Sequence, residues 1–305
     1  MQALSGLGSA YAVLGQRFDE GTAALERALE LALAAGDRNL EGAIRGNLGN
    51  LCHEQGLLDK ARTHFEAALA VQTALGDRAS VGRSMALLGS MHRQQGRYIE
   101  AGEHYRAALV EQRAVGDRLG EAYVLANQGN LLAVQGQLDQ ALAHFESAAT
   151  VNRELKNQRN EGMNLGNIGN MHRLMGDLVA AEANLEAALE LLRDVGTRRQ
   201  YIEVLTSLAQ LRLSRGQVDA ASSALIEGLD AVREIGVAGL EGVILGIMAD
   251  VHLRGGDLDA AGTCLDTGER LLRGATRPSH LGEILCVRGR LEVLSENPER
   301  ARKVL

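Results

Sequence analysis

Apolar positions along this chain fall in a helical rhythm that repeats. Roughly from residue 59 to 75, Ala61, Phe65, Ala68 and Leu69 stand at i, i+4, i+7 and i+8, which places them on one face of a helix. The stripe returns as Ala101, Tyr105, Ala108 and Leu109, then as Ala141, Phe145, Ala148 and Ala149, each 40 residues after the last. Glycines mark the same period at Gly56, Gly96, Gly136, Gly176, Gly216 and Gly256, and five residues after them runs an alanine column that ends at Ala261 and Ala301. A pattern recurring at one fixed interval describes one supersecondary unit used many times.

Each period holds two helices. Gly56-Leu57-Leu58-Asp59 and its copies read as helix stop, tight turn and helix start. Glycine can take the left-handed conformation that ends a helix, and the aspartate caps or complements the positive end of the next one. A second set of breaks lies half a period away, at Gly36-Asp37-Arg38, Gly76-Asp77-Arg78 and Gly116-Asp117-Arg118, then in altered form at Lys156-Asn157-Gln158 and Gly196-Thr197-Arg198. In the second repeat the first helix, A, is expected over roughly 42–55 and the second, B, over roughly 59–75. A single array then covers the chain as repeats of about 1–41, 42–81, 82–121, 122–161, 162–201, 202–241 and 242–281, with a partial repeat over 282–305. Within helix A, Gly49, Gly89, Gly129 and Gly169 are expected to face their own helix B. A missing side chain there permits close backbone approach, at a cost of roughly 1 kcal/mol in helix propensity.

The pattern Leu48-Gly49, Gly56, Ala61, Phe65, Ala68 resembles the tetratricopeptide repeat, and the likeness covers the whole chain. It departs from that repeat in three ways. Arg45, Met85, Leu125 and Leu165 occupy the position of the usual bulky aromatic, Cys52, His92 and His172 that of the usual tyrosine, and Gly-Asp-Arg replaces the terminal proline. The 40-residue period, these linkers and the Gly46-Asn47-Leu48-Gly49-Asn50 core resemble the longer-repeat branch of the family, represented by the Pins/LGN spindle-orientation adaptors and by bacterial regulatory proteins. The resemblance implies an all-α, right-handed α-solenoid of antiparallel helix pairs, seven full repeats plus a truncated eighth, with the A helices lining a concave face.

Composition agrees. Hydrophobic residues make up 46% of the chain but aromatics only 3%, which suits helices packed through small side chains, and Pro278 and Pro298 are the two prolines. A net charge of -7 gives no electrostatic footprint for nucleic acid or an anionic membrane. No secretion signal opens the chain, and the longest uncharged run, 122–138, contains Asn127, Gln128, Asn130 and Gln135 and so fits a repeat helix rather than a membrane span. Cys52, Cys264 and Cys286 are odd in number and widely spaced, which indicates neither a disulfide framework nor a zinc site. A cytoplasmic location follows as the expectation.

Enzyme signatures are missing: there is no Walker loop and no G-x-S-x-G, and His53-Glu54 lacks the second histidine of a zincin helix. His92, His172 and His252 share one column and His64, His104 and His144 another, but members of a column lie one repeat apart, too far for ligands at roughly 2 Å from one metal ion. No cofactor, metal or catalytic residue is therefore expected.

The asparagines carry the functional reading. Asn47 and Asn50 are three apart and share a helix face. The same columns give Asn47, Asn50 and His53, then Arg83, Ser90 and Arg93, then Tyr123, Asn127 and Asn130, then Asn167, Asn170 and Arg173, then Ser207 and Gln210. Asparagine forms helices poorly, while its amide both donates to and accepts from the main chain of an extended peptide. In the resembled adaptors such asparagines grip a peptide backbone. The alternative is that they bridge neighbouring A helices or face water. Arg83, Arg93 and Arg173 add a preference for acidic ligands. Beyond Gln210 these columns turn apolar at Leu213, Ile247 and Leu253, while Asp250, Arg254 and Arg290 stay polar. That stretch reads either as a hydrophobic anchor pocket for the same ligand or as packing against a further segment.

Gly8, Gly15 and Ala28 place residues 1–41 in register as repeat one, and Leu305 occupies the position of Phe65, so helix B of repeat eight stops short. Arrays are usually capped by a polar terminal face, so an additional domain or chain is expected beyond Leu305. The whole reads as a non-catalytic scaffold for a protein or peptide segment in a concave groove, without nucleic acid or membrane. The alternative is the sensor or oligomerisation module of a larger bacterial transcription factor, kinase or cyclase.

Overall fold

The computed structural model describes residues 18–193, 198–274 and 280–295. Among them the chain forms fourteen α-helices and no strand. In order these are α1 (Phe18–Ala35), α2 (Arg38–Glu54), α3 (Leu58–Leu75), α4 (Arg78–Gln94), α5 (Tyr98–Val115), α6 (Arg118–Val134) and α7 (Leu138–Glu154). They continue as α8 (Gln158–Met175), α9 (Leu178–Arg193), α10 (Arg198–Ser214), α11 (Val218–Ile235), α12 (Ala238–Gly255), α13 (Leu258–Arg273) and α14 (Leu281–Leu294). Even-numbered helices are the A helices and odd-numbered ones the B helices. The expectations placed on Gly8, Gly15, Gly196, Thr197, Pro278, Pro298, Ala301 and Leu305 lie outside the described residues.

The A helices begin about four residues earlier than the apolar stripe suggests: α2 opens at Arg38 rather than near residue 42. The Gly-Asp-Arg breaks are not loops at all. Gly76 ends α3 with φ 69°, and the next residue, Asp77, already caps α4 by accepting from the Ser80 N–H at 3.1 Å. Asp37 and Asp117 do the same for Leu40 and Gly120, and Asn157 for Asn160. Helix end and helix start thus share adjacent residues, and each side chain that accepts from the third N–H along removes one orphan donor. Lys156 holds the left-handed position, φ 56°, that glycine holds elsewhere. In the other turn the expected capping role of Asp59 is narrower. The cap position is Leu57, without a side-chain bond, and Asp59 only adds negative charge to the first turn of α3.

The chain divides into two compact units, residues 1–151 and 152–305. In the first, α2 and α4 each pack chiefly on the B helix that follows, then on the B helix before. The pair is drawn together where glycine meets a ring. A Cβ added to Gly49 would lie 2.5 Å from the Phe65 ring, one on Gly89 would lie 2.8 Å from Tyr105, and one on Gly129 would lie 2.8 Å from Phe145. Those three rings are fully buried. In the second unit the same register becomes Gly169 against Leu185, then the buried pairs Ala209 with Leu225 and Ala249 with Leu265. With leucine on helix B the helix A residue is glycine at 169 and alanine at 209 and 249, small in every repeat.

The spacing contact has a measurable consequence. Gly49→Ala should lower the urea unfolding midpoint, with destabilisation of about 1–3 kcal/mol as the Phe65 ring is displaced. Gly46→Ala on the same helix, where a Cβ meets nothing within 4 Å, should leave the midpoint unchanged or raise it. A Gly49→Ala protein at least as stable as wild type would show that this contact does not set the helix spacing.

Candidate functional site

The candidate residues stand on the A helices of both units. In the first unit Asn50 and Tyr123 are exposed, and Asn47, His53, Arg93 and Asn130 are partly buried. His53 Nε2 lies 2.8 Å from Gln94 Nε2, linking α2 to α4. Arg83 is exposed, donates to Ser80 Oγ at 2.7 Å and stands 3.9 Å from the Asp117 carboxylate. Arg93 differs from every arginine in a surface pair, because its Nε is buried and has no hydrogen-bond partner.

Ser90 and Asn127 do not face outward as expected. Ser90 is 9% exposed; its hydroxyl accepts from Tyr105 Oη at 3.0 Å and donates to the Ala86 carbonyl at 3.2 Å. Asn127, also 9% exposed, donates to the Tyr123 carbonyl at 2.9 Å, with its Oδ1 3.5 Å from Ser90 Oγ. The cause is Tyr105. Where Phe65 and Phe145 bury a plain ring, Tyr105 buries a hydroxyl, and a buried hydroxyl needs a partner. The signal was in the columns: a tyrosine among phenylalanines coincides with a serine among asparagines, within one repeat. Ser90 is thus held by Tyr105 and by its own helix, and Asn127 by its own helix, with a 3.5 Å approach between the two.

In the second unit Asn167 and Asn170 of α8 are partly buried, and neither amide has a hydrogen-bond partner among the described residues. They line a cavity of about 140 Å³ together with Met163, Gly166, and Gln200, Glu203, Val204 and Ser207 of α10. Gly166 keeps it open, since a Cβ there would come within 2.8 Å of Val204. Arg173, one turn beyond Asn170, is partly buried, its Nε is buried without a partner, and no carboxylate pairs with it among the described residues. Burial holds its pKa below the ordinary arginine value, and the charge of Glu283 offsets this in part. Gln210 sits apart from this cluster, on the edge of a larger cavity of about 280 Å³ formed by α10, α12 and α14. Sequence reasoning passed over Gln200 and Glu203, which lie on α10 at the positions that meet Asn167 and Asn170 from the next repeat.

Among the described residues no group of three His, Cys, Asp or Glu side chains could hold a metal ion. None of the described helices is long and apolar enough to cross a membrane. Cys52 is buried, Cys264 partly buried and Cys286 exposed, all as free thiols.

The sequence model of the tetratricopeptide repeat matches residues 1–74, 80–154 and 161–234. No curated protein matches the chain. Among solved structures, a Rap protein complexed with competence and sporulation factor is similar at 17% identity, covering 87% of this chain and 73% of that one, with a TM-score of 0.69. Aspartyl phosphate phosphatase F from Bacillus subtilis is similar at 14% identity, covering 90% and 72%, with a TM-score of 0.69. The apo form of the quorum sensor NprR from B. thuringiensis is similar at 11% identity, covering 98% and 84%, with a TM-score of 0.68. At these identities the likeness is one of fold, an α-solenoid.

One electrostatic feature of the first unit lies away from the amide columns. His92 of α4 and His104 of α5 stack with ring centroids 5.1 Å apart and planes 9° apart. Burial lowers both pKa values, and a charge on His104 would further oppose protonation of His92. Around them stand Arg62, Arg97 and Glu100 on the His92 side and Glu66 and Glu103 on the His104 side. Because both folded pKa values lie below the unfolded one, the unfolded chain binds more protons in that interval, so stability falls as pH drops through about 6.5. Thermal melts followed by circular dichroism should show a lower midpoint at about pH 5.5 than at about pH 7.5, and a smaller drop in a His92→Gln/His104→Gln protein. An equal drop in both proteins would place the acid sensitivity elsewhere.

Proposed function

The chain belongs to the tetratricopeptide repeat family, and from that premise we propose that it is a non-catalytic interaction scaffold whose A-helix faces take an extended, acidic peptide segment of a partner protein. The observation that carries this reading is Arg173. A guanidinium that is partly buried, with its Nε unpartnered and Glu283 acting on it only through space, has lost hydration that no hydrogen bond or ion pair among the described residues restores. A ligand carboxylate restores the missing partner through a charge-assisted bond. Asn167 and Asn170, with free amides on the same helix face, then serve the main chain of the same segment, because an amide can donate to a carbonyl and accept from an N–H in any sequence context. Arg93 repeats the motif in the first unit, with Asn50 and Asn130 in the amide columns.

The similar fold of a Rap protein complexed with competence and sporulation factor supports a ligand-holding role. Aspartyl phosphate phosphatase F shares the fold too, but the columns here gather amides and guanidiniums, which hold ligands, rather than a nucleophile beside a base. The likeness to the quorum sensor NprR favours a second reading, in which the same face belongs to the sensor module of a larger regulator. Both readings require an occupied A-helix face.

The test uses two pools of synthetic decapeptides, one carrying Asp or Glu at alternate positions and one carrying Lys. Wild type should bind the acidic pool in preference, and less tightly as salt is raised. Asn167→Ala/Asn170→Ala/Arg173→Gln should weaken that binding by roughly tenfold or more with the helical content unchanged. Equal binding of both pools, or no effect of the triple variant, would sink the acidic-peptide reading.

A further inference from the structure

The larger cavity of the second unit lies on the same A-helix face but has the opposite chemistry. Leu213 of α10, Val243 and Ile247 of α12, and Ile284 and Val287 of α14 form its floor, within a volume of about 280 Å³. In the column that gives Asn167 on α8 and Ser207 on α10, α12 and α14 place Ile247 and Val287. Gly246 deepens the floor, since a Cβ there would meet Ile284 at 3.1 Å. Leu213 and Ile284 are already buried, while Val243, Ile247 and Val287 are partly exposed, and the apolar surface these three leave to water is what a partner would remove.

The rim is polarised. On one edge Arg254 Nε and Arg290 Nη1 both donate to Asp250, at 3.1 and 2.5 Å, so two guanidiniums share one carboxylate. Arg254 also donates to the Leu213 carbonyl at 2.9 Å, which fixes it at the mouth. Asp250 is 15% exposed, while Arg254 and Arg290 are 37% and 52% exposed, so the surplus positive charge faces outward. On another edge His280 stands 3.5 Å from Glu283. Glu283 lines the cavity near the start of α14, and Arg290, seven residues further on, reaches the rim through Asp250, so the positive charge lies at one end and fits an apolar side chain with a carboxylate on the arginine side.

We propose that this cavity is an anchor site for one large apolar side chain of a peptide, with an Asp or Glu within two residues of it seated against Arg254 and Arg290. The proposal rests on the peptide-holding reading above and names a residue pair that the ligand must carry. A space of this size admits one large aliphatic or aromatic side chain, and the shared Asp250 keeps both guanidiniums in place before the ligand arrives.

The test is a selection of random dodecapeptides displayed on phage against the intact chain, followed by titration calorimetry with the strongest synthetic binder. Selected peptides should share a Leu, Ile, Met or Phe within two positions of Asp or Glu. Ile247→Gln should weaken the binder by roughly tenfold or more, the scale of a lost apolar contact in a fitted pocket, and Val287→Thr, which keeps the side-chain shape, should weaken it less but measurably. Arg254→Gln/Arg290→Gln should weaken it and flatten its salt dependence. A binder that ignores Ile247→Gln and Val287→Thr yet fails with Asn167→Ala/Asn170→Ala overturns the anchor and leaves the groove reading standing. Failure to select any peptide overturns the anchor as well. A wild-type dimer in light scattering that becomes monomeric with Ile247→Gln assigns the cavity to a second copy of this chain and equally overturns it.

Discussion

The distance between the two helices of a repeat is set where a residue without a side chain meets a buried ring. Gly49 over Phe65, Gly89 over Tyr105 and Gly129 over Phe145 allow a closer approach than any side chain would tolerate. Every other register in the pair follows from that approach, because both helices are rigid and the turns between them are short. The second unit solves the same volume problem with leucine under glycine or alanine. What recurs is a small residue on helix A, glycine or alanine, under a large one on helix B.

The turns supply the second constraint. In the first unit, with a left-handed glycine and a capping aspartate in adjacent positions, the breaks Gly36-Asp37, Gly76-Asp77 and Gly116-Asp117 contain no spare residue. No slack remains to shift one A helix relative to the next. Positions 40 residues apart therefore occupy equivalent sites, and a column in the sequence is a stripe on a helix face. Buried Gln72, bonded to Ser84 at 2.7 Å, and the Arg113–Glu121 pair at 2.8 Å add polar links across this break within the first unit. Such links specify which A helix follows which B helix more than they stabilise the stack.

That strict spacing is why so much of the fold was legible in the sequence. The helix pairs, the left-handed glycines and the small residues facing the rings follow from local pattern alone, and each is where the columns place it. The start of the A helices was not legible from apolar spacing, because residues 38–41 are helical through their cap rather than through burial of a continuous stripe. Of the candidate site, the positions could be read but not always the direction of the side chain. Asn167 and Asn170 line a cavity, whereas Ser90 and Asn127 turn inward, because one hydroxyl on Tyr105 changes the hydrogen-bond demand of its neighbours. Column averages hide such a local exchange. The cavities themselves depend on residues from two or more helices at once, so Gln200 and Glu203 gained meaning only when α10 was set beside α8.

Equivalent sites need not carry equivalent chemistry, and in the second unit they do not. Along one column α8, α10, α12 and α14 present Asn167, Ser207, Ile247 and Val287, a passage from amide to hydroxyl to aliphatic side chain. Nothing in the packing of the helix pair requires it, since the ring-and-glycine register lies on the opposite side of helix A. A face that served only to meet water would stay polar throughout, and a face buried by its own fold would be apolar throughout. A gradient distinguishes the two ends. Applied to an extended ligand, it offers main-chain partners at α8 and an apolar seat at α12 and α14, with a positive charge near each, Arg173 at the first and Arg254 with Arg290 at the second. On the proposed peptide-holding reading, a bound peptide has one favourable direction. Reversal would bring its apolar side chain against unpartnered amides and a partly buried guanidinium, and such a mismatch between polar and apolar groups costs more than the loss of either contact.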